Sequence, residues 1–139
     1  VVVAIIGALA AVGVVAYNGY IGAARENSSK SIHNSIVKYI ANERGKCALS
    51  ESATIMGSLS CSSTAAEIIE HLAGTDSPLQ DKDPYDGGLS VVAAAPAKAR
   101  GNVVVTNADD GTTQQILLTT CWDKDCAEDA LTTTVQVFE

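Results

Sequence analysis

Hydrophobic positions run without interruption at the start of this chain and fall into periods only later. Residues 1–24, VVVAIIGALAAVGVVAYNGYIGAA, carry no charge, and from Val1 to Ala16 every residue is apolar or glycine. At about 1.5 Å rise per residue, a helix of this length reaches roughly 36 Å, against a hydrocarbon core of about 30 Å. Such a stretch belongs in lipid, in a core, or against copies of itself. An apolar surface all round argues against the one-sided helix of a small single-layer domain. From Arg25 the pattern changes with neither proline nor linker between. Ile32, Ile36, Val37 and Ile40 recur at helical spacing, with Lys30, Asn34, Lys38 and Asn42 between them. The spacing predicts one helix from the start to about Arg44, stopped by Gly45 with Arg44 and Lys46 beside it.

The segment after Cys47, ALSESATIMGSLSCSS, is small and polar and reads as a loop. Thr64 and Glu67 form a capping box, and AAEIIEHLA predicts a short helix through Ala73, ended by Gly74. Its apolar face is Ile68, Ile69 and Leu72. TDSPLQDKDPYDGG is a turn-rich loop. Strands are expected at Leu89–Ala95, Asn102–Asn107, Gln114–Trp122 and Thr132–Phe138, with Asp110-Gly111 as a hairpin turn. Consecutive strands with tight turns favour an antiparallel meander. The amphipathic half of the first helix is its natural cover. The expected class is α+β: a long N-terminal helix, apolar then amphipathic, on a small antiparallel sheet of three to four strands, with a short second helix. Two regions follow, an apolar half-helix at 1–24 and a globular domain at 25–139.

Composition narrows the chemistry. The formal net charge is −7, with no basic stripe, so no specific nucleic-acid site is indicated. Aromatic side chains are few, leaving Val, Ile, Leu and Ala to build the core. Cys47, Cys61, Cys121 and Cys126 form two sequence-local pairs, which favours disulfides and an oxidising compartment. Three connectivities are open, and 47–61 with 121–126 is the local one. A metal site fits less well, because the spacings lack Cys-x2-Cys knuckles. His33, among polar helix residues, and His71, beside Glu70, read as solvated surface histidines rather than catalytic ones. No nucleophile elbow, phosphate loop or H-E-x-x-H motif occurs, so an enzyme is not expected. Asn27-Ser28-Ser29 fits a glycosylation sequon but lies within the expected helix.

The residues Val1 to Arg25 also carry a resemblance. VVVAIIGALAAVGVVAYNGYIGAAR is similar to the N-terminal helix of type IV pilins and pseudopilins, entered several residues late. Val2 to Ala11 match the family's apolar core, and Tyr17 sits where the family usually has tyrosine. Past Ala24 only the architecture is shared. The family's N-methylated phenylalanine and nearby glutamate do not occur here, and residues are expected to be missing upstream. The family's helix proline would fall at Val15, which excludes a proline kink. Gly13 with the β-branched Val12, Val14 and Val15 is then the expected point of local extension in an assembly.

The resemblance implies a filament subunit and no enzyme. It would be held in the inner membrane by its apolar half-helix and handed by pilus assembly machinery to an extracellular homopolymer. Val3, Ile5, Ile6, Gly7, Leu9, Ala11, Gly13, Val15 and Tyr17 would then line the filament core. Gly7/Ala11 and Gly19/Ala23, four residues apart, would permit close helix approach. No cofactor is expected. Related major pseudopilins bind Ca²⁺ in a loop of the globular domain, so the acidic loops at Asp81, Asp83 and Asp86 and at Asp123, Asp125, Glu128 and Asp129 are its candidate sites. The EF-hand spacing is absent, and solvated acidic loops are commoner. The alternatives are a type II secretion pseudopilin and a membrane-anchored periplasmic binding domain.

Overall fold

The computed structural model describes residues 1–87, 92–94, 100–124, 126 and 130–138. The uninterrupted apolar run and the amphipathic segment form a single helix, α1, Val2–Leu49. It runs past the predicted stop at Gly45. One glycine costs about 1 kcal/mol in a helix interior, and two local bonds outweigh it. Lys46 pairs with Glu43 at 2.6 Å, and Cys47 is bonded to Cys61. The helix ends where Ser50 turns extended, its N–H donating to the Lys46 carbonyl.

The expected loop after α1 contains a two-stranded hairpin, β1 at Thr54–Ile55 and β2 at Leu59–Ser60. Its strands are too short to carry a sequence period. The helix α2, Ala65–Ala73, follows with its capping box intact: Thr64 Oγ1 accepts from the Glu67 N–H, and Glu67 Oε2 accepts from the Thr64 N–H. Ala65, Ile68 and Leu72 are buried and Ile69 is packed against the core.

Four more strands make one sheet in sequence order: β3 Val92–Ala94, β4 Val103–Asn107, β5 Gln114–Cys121 and β6 Ala130–Phe138. β4, β5 and β6 are the antiparallel meander, but β3 runs parallel to β4, so the sheet is mixed rather than antiparallel. The register explains this arrangement. Val92 pairs with Val103 and both are buried, so β3 extends the apolar face although its chain direction differs. The outer parts of the predicted first strand, Leu89 to Val91 and Ala95, lie outside the described residues. In the β4–β5 turn, Asp109 Oδ1 accepts from the Gly111 N–H and Asp110 Oδ1 accepts from Thr112 and Thr113. Gly111 supplies the positive φ of +82°.

Both helices cover the same sheet face. α1 lies against β5, β6 and β1, and α2 lies against β3, β4 and β5. The core joins Ile36 and Ile40 of α1 to Ile55, Ile68, Leu72, Val103, Val105, Ile116, Leu118 and Val137. On α1 the buried positions Ser29, His33, Ile36, Ile40 and Glu43 form a stripe at steps of four and three residues, as a straight packed seam requires. The class is therefore α+β, with a long helix on a small mixed sheet and a short second helix.

Candidate functional site: an uncovered apolar half-helix

Among the described residues, none covers the first part of α1. Every residue from Val1 to Tyr20 is exposed, and the domain begins to touch the helix at Ile21 and Gly22, which are half-buried. Val3, Ile5, Ile6, Gly7, Leu9, Ala11, Gly13, Val15 and Tyr17 all lie in this exposed part. Large apolar side chains stand in the open, Ile6 at 61%, Leu9 at 68% and Val15 at 74%. Soluble monomers rarely tolerate contiguous apolar surface on this scale. Gly7, Gly13 and Gly19 have open space where a Cβ would stand. The described helix is long and apolar enough to cross a membrane. In the single chain it remains helical through Gly13 to Val15.

The junction with the domain is rigid because the same helix enters the core. Two polar devices lock it there. His33, read from sequence as a surface residue, is fully buried between helix and sheet. Its Nδ1 is 2.9 Å from Thr120 Oγ1 on β5 and its Nε2 is 2.8 Å from Thr133 Oγ1 on β6. Burial disfavours the imidazolium and holds the group below its ordinary value of 6.5. Helical spacing put His33 on the stripe of Ile36 and Ile40, but its polarity argued for the other face. The two threonines that satisfy it are 87 and 100 residues away and carry no local signal.

The second device holds the β1–β2 hairpin. Met56 adopts φ +51°, a left-handed conformation uncommon for a bulky residue, and is buried. Its N–H donates to Glu43 Oε2 at 2.7 Å, and its carbonyl accepts from His71 Nε2 at 2.9 Å. His71 is thus a half-buried tie from α2, not a solvated side chain. Burial of Glu43 works against its charge, but the Lys46 ammonium and the Met56 N–H prevail and hold the carboxyl below its ordinary value of 4.5. The Cys47–Cys61 disulfide closes the same region, and Cys121–Cys126 closes the segment between β5 and β6. Both pairings are the local ones.

Among the described residues the remaining candidates do not converge. Asp83 is buried, and its Oδ1 accepts from the Tyr85 and Asp86 N–H groups, which uses that oxygen in a turn. Asp123 is half-buried, whereas Asp125, Glu128 and Asp129 lie outside the described residues. Among the described residues no group of three or more His, Cys, Asp or Glu side chains is placed to hold a metal ion. In the sequon, Asn27 is helical and exposed, while Ser29 is buried with its hydroxyl donating to the Arg25 carbonyl. No family model, curated protein or solved structure matches this chain.

Proposed function

We propose that the chain is a structural subunit of a type IV pilus filament that polymerises through the apolar half of α1. The observation that carries this reading is one helix that is uncovered over Val1–Tyr20 and then enters its own domain's core without a break. A flexibly tethered domain needs a linker, whereas a load-bearing subunit needs its assembly rod and its domain to be one body. The rod's Val, Ile, Leu and Ala side chains surround the whole helix, so neighbouring copies can pack on every side. At about 25 cal/mol per Å², ~1,000 Å² of apolar contact contributes roughly 25 kcal/mol before ordering costs. A head-to-tail contact that does not close propagates as a helical polymer. Before assembly the same surface requires lipid, so in this reading the monomer would sit in the inner membrane and the polymer outside the cell. There the two disulfides would brace the domain. The resemblance of Val2–Ala11 and Tyr17 to the pilin core supports the same assignment.

Sheared surface material tests it directly. The chain should be found in filaments seen by negative-stain microscopy, and its deletion should remove them. If the chain stays entirely with washed membranes of cells that carry pili, the filament reading is wrong. A secretion defect with pili intact would instead place it among pseudopilins.

A further inference from the structure

The uncovered part of α1 has a measure of its own. From Val2 to Tyr20 it rises roughly 28 Å, close to the ~30 Å thickness of a bilayer's hydrocarbon core. The domain meets the helix at Ile21–Gly22, one turn before the first charge at Arg25. If the half-helix spans a membrane, that edge of the domain must rest at headgroup depth. Tyr17 and Tyr20 stand exposed just below it, where aromatic rings favour the interface.

The edge is built from cations and aromatic rings. Arg25 and Arg100 both approach the Tyr85 ring, with guanidinium carbons 5.7 and 4.1 Å from its centroid. Arg100 also donates from Nε to the Trp122 carbonyl at 2.7 Å, and Lys30 Nζ stands 4.3 Å from the Trp122 ring centroid. Three segments thereby meet beside Arg25 and Lys30 of α1: the Asp83–Asp86 turn, the residues just before β4 and the residue just after β5. Four carboxylates adjoin these groups: Asp86 is exposed beside Tyr85, Asp123 is half-buried beside Trp122, and the other two are committed within the protein. Glu26 pairs with Lys30 at 2.6 Å, and Asp83 is buried in its turn. Arg25 and Arg100 are exposed residues, while Tyr85 and Trp122 are half-buried beside them.

We infer that Arg25, Tyr85, Arg100 and Trp122, with Lys30 held against the Trp122 ring by its pair with Glu26, form a membrane-docking collar whose two guanidiniums bind phospholipid headgroup phosphates and seat the domain on the bilayer before assembly. The guanidiniums supply phosphate donors, the rings hold them in place, and Tyr85 and Trp122 suit the apolar-to-wet boundary. The inference rests on the membrane-spanning reading of the monomer and adds its partner and register. It also means that leaving the membrane requires the collar to release lipid.

Trp122 is the only tryptophan, so its emission reports the collar alone. The full chain is reconstituted in vesicles of phosphatidylcholine and phosphatidylglycerol brominated either just below the headgroup or near the bilayer centre. Shallow bromines should quench Trp122 more than deep ones, and salt should weaken that quenching. Arg25→Gln and Arg100→Gln should each lower the docked-to-undocked ratio about fivefold. Chain that floats with vesicles but shows unquenched Trp122 overturns the collar and leaves the span intact. Chain that fails to float overturns both. Shallow quenching indifferent to both arginine variants and to salt overturns the role of phosphate. The salt series on the unaltered chain decides that point even where a variant fails to fold.

Discussion

At the scale of single residues, polar groups set the helix–sheet geometry. His33→Ala would leave the buried Thr120 hydroxyl without the imidazole and open a cavity, so unfolding stability should fall by about 1–3 kcal/mol. Asn34→Ala, one residue away on the exposed face, should change it by less than about 0.5 kcal/mol. The pH dependence has a definite sign. With its folded pKa below 6.5, the unfolded chain binds more protons at His33 as acid is added, so stability falls below that pH. The His33→Ala variant should lose this component in a series of denaturant titrations from pH 8 to pH 5. Glu43 acts at lower pH. Its stabilisation is present above 4.5 and is lost as pH falls through its depressed folded value, so Glu43→Gln should flatten that more acidic limb. Gly101 is a conformational requirement: at φ +91° an added Cβ would overlap the Asp83 carboxylate and the Tyr85 ring. Gly101→Ala should cost more than about 1 kcal/mol, measured by thermal or chemical unfolding.

At the scale of elements, the two halves of α1 obey different rules. The second half is stabilised by its packed stripe, so it does not need the first. Removing residues 1–24 should therefore give a folded, monomeric domain by circular dichroism and light scattering. If that truncated domain still forms filaments, assembly does not reside in the apolar half. The first half has no tertiary support, and Gly7, Gly13 and the valines around Gly13 make it the weaker helix. It is helical in the isolated chain. In a filament, strain from neighbours should fall on Gly13–Val15, and a filament map with unbroken helix through Gly13 rejects that expectation. The β1–β2 hairpin depends on ties from outside itself. Reducing Cys47–Cys61, which are separated by 14 residues, should destabilise the fold by about 3 kcal/mol in the chain-entropy model. Exchange protection should fall first around Met56.

At the scale of the whole molecule, an acidic domain is fused to an apolar rod, and neither satisfies the other. The domain's core is closed on one sheet face by α1 and α2, which leaves the rod's surface to be satisfied by lipid or by other chains. The collar lies where those two environments meet. On the proposed filament reading, a subunit moving from bilayer to polymer would exchange lipid for protein around Val1–Tyr20 and phosphate for solvent or protein around Arg25 and Arg100.

The patterns alone determined the long helix, the capped short helix and the β4–β5–β6 meander and favoured the local cysteine pairs, because each is written in neighbouring residues. An apolar run, a capping box, Asp-Gly between alternating stretches and short Cys spacings need no distant partner. Tertiary structure alone decided the rest. β3 could only be oriented by the register of Val92 on Val103, and the bond from Cys47 to Cys61 holds the helix beyond Gly45. His33 and His71 looked like surface groups because their partners, Thr120, Thr133 and the Met56 carbonyl, are distant in sequence. The collar was illegible for the same reason. Arg25, Tyr85, Arg100 and Trp122 become one feature only when three separate segments close beside the helix.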